Sequence, residues 1–404
     1  MITPASSGKT TFRQKMTCGC ALIMLVFMFQ TASVSVAETL PETPVPDSLS
    51  PELMYLLALA DPDPLQSFQP SKITTLLEYI QAPKATDVLH YANPELGSPS
   101  AYFDFDVRQH FGHVLDYAFN PNVPGHLMTP SSTRISHWDP LQGSDGRLPA
   151  LGDAADKLQV PIVVKGIETI ENTPDVFSGA YYRYQLYRTL ILFTYDNRRV
   201  LISISKQTGP SDVGQKGYVL GSDDNWDYFY SGEPGLTLPG LGWVRSRMFD
   251  SYGMNIYIEL DPAAPLLRCG VFRWVQAGWS KINAVKRHHI HNGIKRFAKS
   301  FKEIMEHPSL PGIGVLEKAF SNIKALSADD LKDSMTTYLA SLEDHYGPEY
   351  RPPRKWSPQI FKDKKPWFKM STEAMQSVLM VEFLKHALGK RDAQYVVALW
   401  GKSK

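Results

Sequence analysis

The sequence predicts an α+β fold in which an antiparallel β-sheet packs against one long amphipathic helix, with a helical region at the C-terminus. Three observations lead there. Two pairs of apolar, β-branched segments, within 181–204 and 254–275, each fold about a short turn. Residues 279–306 then repeat their apolar side chains at helical spacing. Beyond Pro311 the strand signal stops and helix caps take its place.

The first pair joins 181–195 to 200–204 through Asp196-Asn197-Arg198, a polar hairpin turn. Val200, Ile202 and Ile204 alternate with Leu201, Ser203 and Ser205, which predicts one apolar face and one mostly wet face. In the second pair Met254, Ile256, Ile258 and Leu260 alternate with Asn255, Tyr257 and Glu259. Pro262 and Pro265 exclude ladder pairing in its turn, and the return strand runs over 266–275. A sheet with one dry face needs a cover, and the next segment supplies it. There Ile290, Ile294, Phe297, Phe301 and Ile304 step by four and three, while Pro308 marks the end. As a helix over 279–306 it would be roughly 40 Å long.

The N-terminus carries the layout of a secretory signal peptide. Lys9, Arg13 and Lys15 precede a short apolar core at 21–29, and Ser35-Val36-Ala37 offers small residues for cleavage after Ala37. Export to the periplasm or the medium is therefore expected. The first 37 residues hold three basic and no acidic side chains, so their removal takes the formal charge from +1 to −2. Cys18 and Cys20 leave with them, and Cys269 remains without a disulfide partner. It lies in an apolar strand and reads as a small buried hydrophobe.

The chain in order then divides into 38–70, 71–310 and 311–404. Residues 38–47 are a proline-rich, acidic leader, followed by a helix opening at Ser50-Pro51. Ser71 is expected to cap a second helix. Residues 102–119 fit strand and helix equally, 120–139 read as a proline-bearing loop, and 160–170 as a strand. A glycine-rich stretch, 209–242, separates the two hairpins. After Pro311, Ser327 caps one helix and Ser371 opens another that ends at Gly389. The whole 311–404 region reads as a helical appendage. A composition 43% hydrophobic and 21% charged is that of a globular protein.

Candidate chemistry is sparse. Asp104, Asp106, His110 and His113 fall within ten residues and form a weak catalytic set. They converge only where a strand gives way to a helix. On the long helix Arg287, His288, His291 and Lys295 suggest a pH-sensitive anion patch, since their charge opposes a metal. Trp356 and Trp367 lie among bases in 349–369, a composition that favours an anionic membrane surface. Export makes nucleic acid an unexpected partner. Asp223, Asn225 and Asp227 begin like a calcium loop, but Tyr228 stands where its glycine belongs. No metal or cofactor is expected. The chain lacks a Gly-x-Ser-x-Gly elbow and a His-Glu-x-x-His pair.

Strands followed by one long helix resemble, in architecture alone, the helix-grip arrangement of START-like lipid-binding domains. That resemblance implies a lipid or other hydrophobic ligand held between sheet and helix, as does the greasiness of both sides of 190–193. The alternatives are an exported hydrolase using the acids and histidines of 104–113, and a structural envelope-associated protein.

Overall fold

Asp196 and Asn197 both adopt positive φ, 48° and 57°, the backbone that a two-residue hairpin turn with right-handed strand twist demands. They join a strand at Arg183–Tyr195 to one at Arg198–Gln207, paired from Leu186↔Gln207 to Tyr195↔Arg198. The second hairpin, Arg247–Glu259 with Leu267–Trp279, docks on the first by pairing Tyr252↔Lys206 through Ile258↔Val200. These four strands are the centre of the fold. The structure is a computed structural model and describes residues 40–85, 87–93, 96–140, 148–238, 242–352, 359–362 and 370–391.

In chain order the N-terminal elements are β1 (Glu42–Pro44), α1 (Ser50–Ala58), α2 (Thr74–Gln81), β2 (Leu89–Tyr91) and β3 (Ser100–Val107). Next come α3 (Phe111–Ala118), β4 (Thr133–Pro140), α4 (Leu151–Ala155), β5 (Ile162–Asn172) and β6 (Ala180–Tyr181). The first hairpin is β7 (Arg183–Tyr195) and β8 (Arg198–Gln207). Four short strands follow it: β9 (Gln215–Val219), β10 (Tyr228–Pro234), β11 (Leu236–Leu238) and β12 (Gly242–Val244). The second hairpin is β13 (Arg247–Glu259) and β14 (Leu267–Trp279), extended by β15 (Ile282–Asn283). The rest is helical: α5 (Arg287–Met305), α6 (Ile313–Lys324), α7 (Ala328–Tyr346) and α8 (Thr372–Ala387).

Among the described residues one large sheet runs in the order β1-β2-β3-β14-β13-β8-β7-β5-β4. Only the β1–β2 pair is parallel. Strand alternation gives this sheet two apolar faces, and helices cover both. On one face Tyr102, Phe193, Ile202, Ile204, Ile256 and Phe272 pack against Leu53, Leu56, Leu76, Leu77 and Ile80 of α1 and α2. On the other, Leu190, Leu192, Leu201, Tyr257 and Leu267 join a core shared with α3, α5, α6, α7 and α8. The molecule is therefore a mixed α+β protein with helices on either side of a mostly antiparallel sheet.

Several expectations need correction. The face of β8 expected to be wet is closed: Ser203 and Ser205 are buried, and Ser203 accepts a hydrogen bond from Arg188 at 3.0 Å. The long helix does not begin near Trp279. Aromatic and β-branched residues carry β14 through Trp279, Ser280 and Lys281 turn at positive φ, and α5 starts only at Arg287. Its 19 residues span about 28 Å. Ser71 lies in a separate 3-10 turn, and Ile73 occupies the N-cap of α2. Residues 120–139 are not all loop, because β4 pairs with β5 from Thr133↔Asn172 to Pro140↔Gly166. The helices after Pro311 share the main core: Leu316, Leu331 and Leu379 are buried in it beside Phe111 and Leu201. The cap expected at Ser327 forms, its Oγ accepting from Asp330 N, and Ser371, expected to open the last helix, caps it instead by accepting from Ala374 N.

Candidate functional site

Alternation along β3 sends Tyr102, Asp104 and Asp106 to the α2 side and Phe103 and Phe105 to the α5 side. Asp104 is half-buried there and accepts a hydrogen bond from the Tyr102 hydroxyl at 3.0 Å. Cross-strand pairing sets His90 of β2 opposite Tyr102, their rings 6.4 Å apart. From α2, Tyr79 brings its ring 5.5 Å from that of Tyr102. Lys84, just past the end of α2, lies over the Tyr79 ring at 4.0 Å and donates to the carbonyls of Tyr79 and Ala82. Five titratable side chains thus converge on one rim of the sheet.

Their electrostatics follow from partial burial. Burial pushes the Asp104 carboxyl above the ordinary carboxylate range, against the pull of the Tyr102 hydroxyl and of Arg268 and Lys84. It likewise holds the Lys84 ammonium below its usual range, although Asp104 draws it the other way. His90 is lowered by burial, and the nearby Lys84 charge adds to that against Asp104. Burial and Asp104 together push Tyr79 up to about 12. The proton ranges of Asp104 and His90 therefore approach each other, which suits transfer of a proton between carboxyl and imidazole. His90 Nε2 has no hydrogen-bond partner among the described residues.

The structure divides the four residues expected to act together. Asp106 is taken up by Arg268, which grips both its oxygens and donates to Gln81 O at 3.0 Å, closing the end of α2. His110 is exposed at the N-cap of α3. His113 stacks on Tyr117, ring centroids 4.4 Å apart, and burial lowers its imidazole. Among the described residues no three metal-ligating side chains come close enough to share an ion.

The residues of the expected anion patch also part company. His291 is 1% exposed and faces Phe103 edge-on at 5.6 Å. Burial and the Lys295 charge lower its imidazole to about 4, so it is neutral near pH 7. Arg287 pairs with Glu42 at 2.9 Å and lies over the Tyr91 ring at 3.8 Å. His288 and Lys295 are both exposed. Trp356 and Trp367 lie outside the described residues. Asp223 and Asp227 are engaged in ion pairs, Asp223 with Arg296 at 2.5 Å and Asp227 with Lys385 at 2.5 Å and Arg391 at 2.6 Å. Cys269 is buried, which raises its thiol far above the range in which it would react.

Spacing along the chain could not have found the Asp104 neighbours. His90 reaches it through strand pairing, and Tyr79 and Lys84 through the docking of α2. The usable signal was the alternation Tyr102-x-Asp104-x-Asp106, which places a carboxylate beside an aromatic hydroxyl on one strand face.

The space between α5 and the sheet is occupied by side chains. Phe105 meets Phe297 and Phe301 at 6.1 and 6.4 Å, and Tyr257 meets Phe301 at 6.0 Å. The greasiness of 190–193 that motivated a ligand cavity is accounted for by helices on both faces. Ile191 and Phe193 serve the α1–α2 core, and Leu190 and Leu192 the opposite one. No helix among the described residues is long and apolar enough to cross a membrane. In comparisons with known proteins, no family, no curated protein and no solved structure matches the chain.

Proposed function

We propose that the protein is an exported protein that binds a small polar ligand at the Asp104 rim and exchanges a proton with it. The observation that carries this reading is the meeting of Asp104 with Tyr102, His90, Tyr79 and Lys84 at one partly open place. Clusters of perturbed titratable groups concentrate at functional sites because chemistry demands such tuning. Tyr102 fixes the carboxyl, Lys84 supplies a cation beside it, and His90 brings an imidazole whose Nε2 is enclosed without a hydrogen-bond partner among the described residues. The reading keeps the acid–histidine chemistry expected of 104–113 but exchanges His110 and His113 for His90.

A hydrophobic guest between sheet and α5, as in a helix-grip protein, draws support from α5 lying against β3 and β14. It would have to displace Phe105, Phe297 and Phe301. Native mass spectrometry of the purified protein separates the readings, since a co-purifying lipid favours the container.

The Asp104 reading is tested by following the His90 ring protons by NMR across pH in the wild type and in Asp104→Asn. His90 titrates below the usual 6.5 in the wild type, and lower still once the carboxylate is gone. A thermal-shift screen of small amines, carboxylates and sugars should then find compounds that stabilise the wild type and not the variant. An unshifted His90, or equal stabilisation of both proteins by every compound, refutes the site.

A further inference from the structure

Strand register sets two arginines in one row across the middle of the sheet. Arg188 of β7 lies opposite Ser205 of β8, Ser205 opposite Gly253 of β13, and Gly253 opposite Arg273 of β14. Leu190, two residues from Arg188, belongs to the core shared with α5 and the later helices, so alternation turns the whole row to that face. The two residues between the arginines are small, and both guanidiniums lean over them. Arg188 Nη1 donates to Ser203 Oγ at 3.0 Å and Arg273 Nη2 to Asn255 Oδ1 at 2.7 Å. Ser203 and Asn255 are themselves opposite each other. Gly253 gives the room, since a Cβ there would lie 2.7 Å from Arg273 Nη1 and 2.9 Å from Ser205 Oγ. The result is a furrow with a cation on either wall.

Its charges do not balance. Glu168 answers Arg188, 2.6 Å from Nε. Arg273 holds no carboxylate among the described residues. Its Nη1 donates to Met254 O at 3.3 Å and Phe272 O at 2.9 Å, while Nε and the second N–H of Nη2 meet no described acceptor. Other arginines on this side of the sheet each have a carboxylate: Arg134 has Glu171, Arg296 has Asp223 and Arg391 has Asp227. Burial and the Arg188 charge lower Arg273 to about 10, which leaves it a cation at neutral pH. Burial pushes the Tyr184 hydroxyl, on the same face, up to about 12 against the pull of Arg273 and Arg188. That hydroxyl has no hydrogen-bond partner among the described residues. Tyr184, Arg188 and Arg273 are each half-buried, so each keeps some surface that a small guest can touch. Two cations converging where water is scarce destabilise each other unless an anion joins them. The guanidinium fork matches the paired oxygens of a carboxylate or phosphate.

We infer that the furrow between Arg188 and Arg273 binds a small oxyanion, a carboxylate or phosphate group held by the unused N–H groups of Arg273 and by the Tyr184 hydroxyl, with Arg188 adding its charge. The furrow lies on the opposite face of the sheet from the Asp104 rim, and either site can fail without the other.

The test is calorimetric titration of the full chain with sodium phosphate and, separately, with sodium acetate, at constant ionic strength. Saturable binding of one equivalent is expected, and the tighter of the two anions tells which group the furrow prefers. Arg273→Met, which keeps the bulk and removes the fork, should weaken it roughly tenfold to hundredfold. Tyr184→Phe should weaken it about threefold to tenfold, and it carries the test where Arg273→Met does not fold. Asp104→Asn should bind as the wild type does, which separates the furrow from the rim. Binding that survives Asp104→Asn and is lost on Arg273→Met upholds the site. The absence of saturable binding to the wild type overturns it, as does equal binding by the folded furrow variant or a loss that follows Asp104→Asn instead.

Discussion

The two faces of the central sheet are held by different means. Against α1 and α2 the contact is apolar through its middle, with ion pairs such as Lys206–Asp61 left at a part-exposed margin. On the other side charge is buried outright. Lys385 meets Asp227 at 2.5 Å and Glu382 at 2.6 Å, all three almost fully excluded from water, and Arg391 adds a contact to Asp227 at 2.6 Å. Arg134 lies buried between Glu171, at 2.7 Å, and the Tyr230 ring, at 3.7 Å. The difference follows from what each side must position. Two short helices on an apolar sheet face settle by shape alone. The 215–234 segment and the helices after Pro311 have many arrangements of similar greasiness, and paired charges with fixed partners select one of them.

This contrast can be broken most sharply at Lys385. Replacing it by Met removes the buried cation between Asp227 and Glu382, leaving Arg391 at 2.6 Å from Asp227, and should cost about 3–5 kcal/mol, read by urea unfolding. Adding Glu382→Gln restores the charge balance and should recover a large share of that loss. A full recovery would mean that charge balance matters and geometry does not. On the apolar face Leu76→Ala should cost about 2–5 kcal/mol through cavity formation, with no dependence on salt or pH. A pH-dependent loss there would remove the distinction between the faces.

An effect that is absent at neutral pH and grows only in acid is expected from His126, buried on the polar side with Nε2 2.9 Å from Ser377 Oγ. Burial and the Arg134 charge lower its imidazole from 6.5 to about 3. The folded chain therefore binds this proton less readily than the unfolded chain does. Stability from this residue is complete above pH 6.5 and falls by about 1.4 kcal/mol per pH unit below it, levelling off near 3. His126→Asn should flatten that slope between the two limits in melts recorded across pH. The smallest change is expected at Lys299→Ala, whose pair with Asp224 at 2.6 Å is largely exposed. It should shift stability by less than about 1 kcal/mol, and less again in high salt.

What the sequence made legible was local. The Asp196-Asn197 turn, the alternation of β8 and β13, and the Ile290–Ile294–Phe301–Ile304 stripe of α5 depend on neighbours a few residues apart, and each stands in the structure. The start of α5 was misjudged because Trp279 and the bases after it suit either a strand end or a helix. The β15 turn that decides between them needs two non-glycine residues at positive φ. β4 went unseen because Arg134, His137 and Asp139 interrupt its pattern, and tertiary contacts to Glu171 and Ser377 stabilise it instead. Asp104 was legible as a candidate, but its partners were not, since strand pairing and helix docking bring them from positions 79 to 90.

Among the described residues, one edge of the great sheet is closed by three residues. β1, Glu42-Thr43-Pro44, lies along β2, tied by Leu89 N to Pro41 O at 2.9 Å and Val45 N to Tyr91 O at 2.8 Å. Its proline cannot donate to a further strand, so the ribbon stops growing there. Trimming that removed residues 40–45 would strip this selvage and leave the amides of β2 open to any extended chain, turning a self-limiting edge into a template for polymerisation.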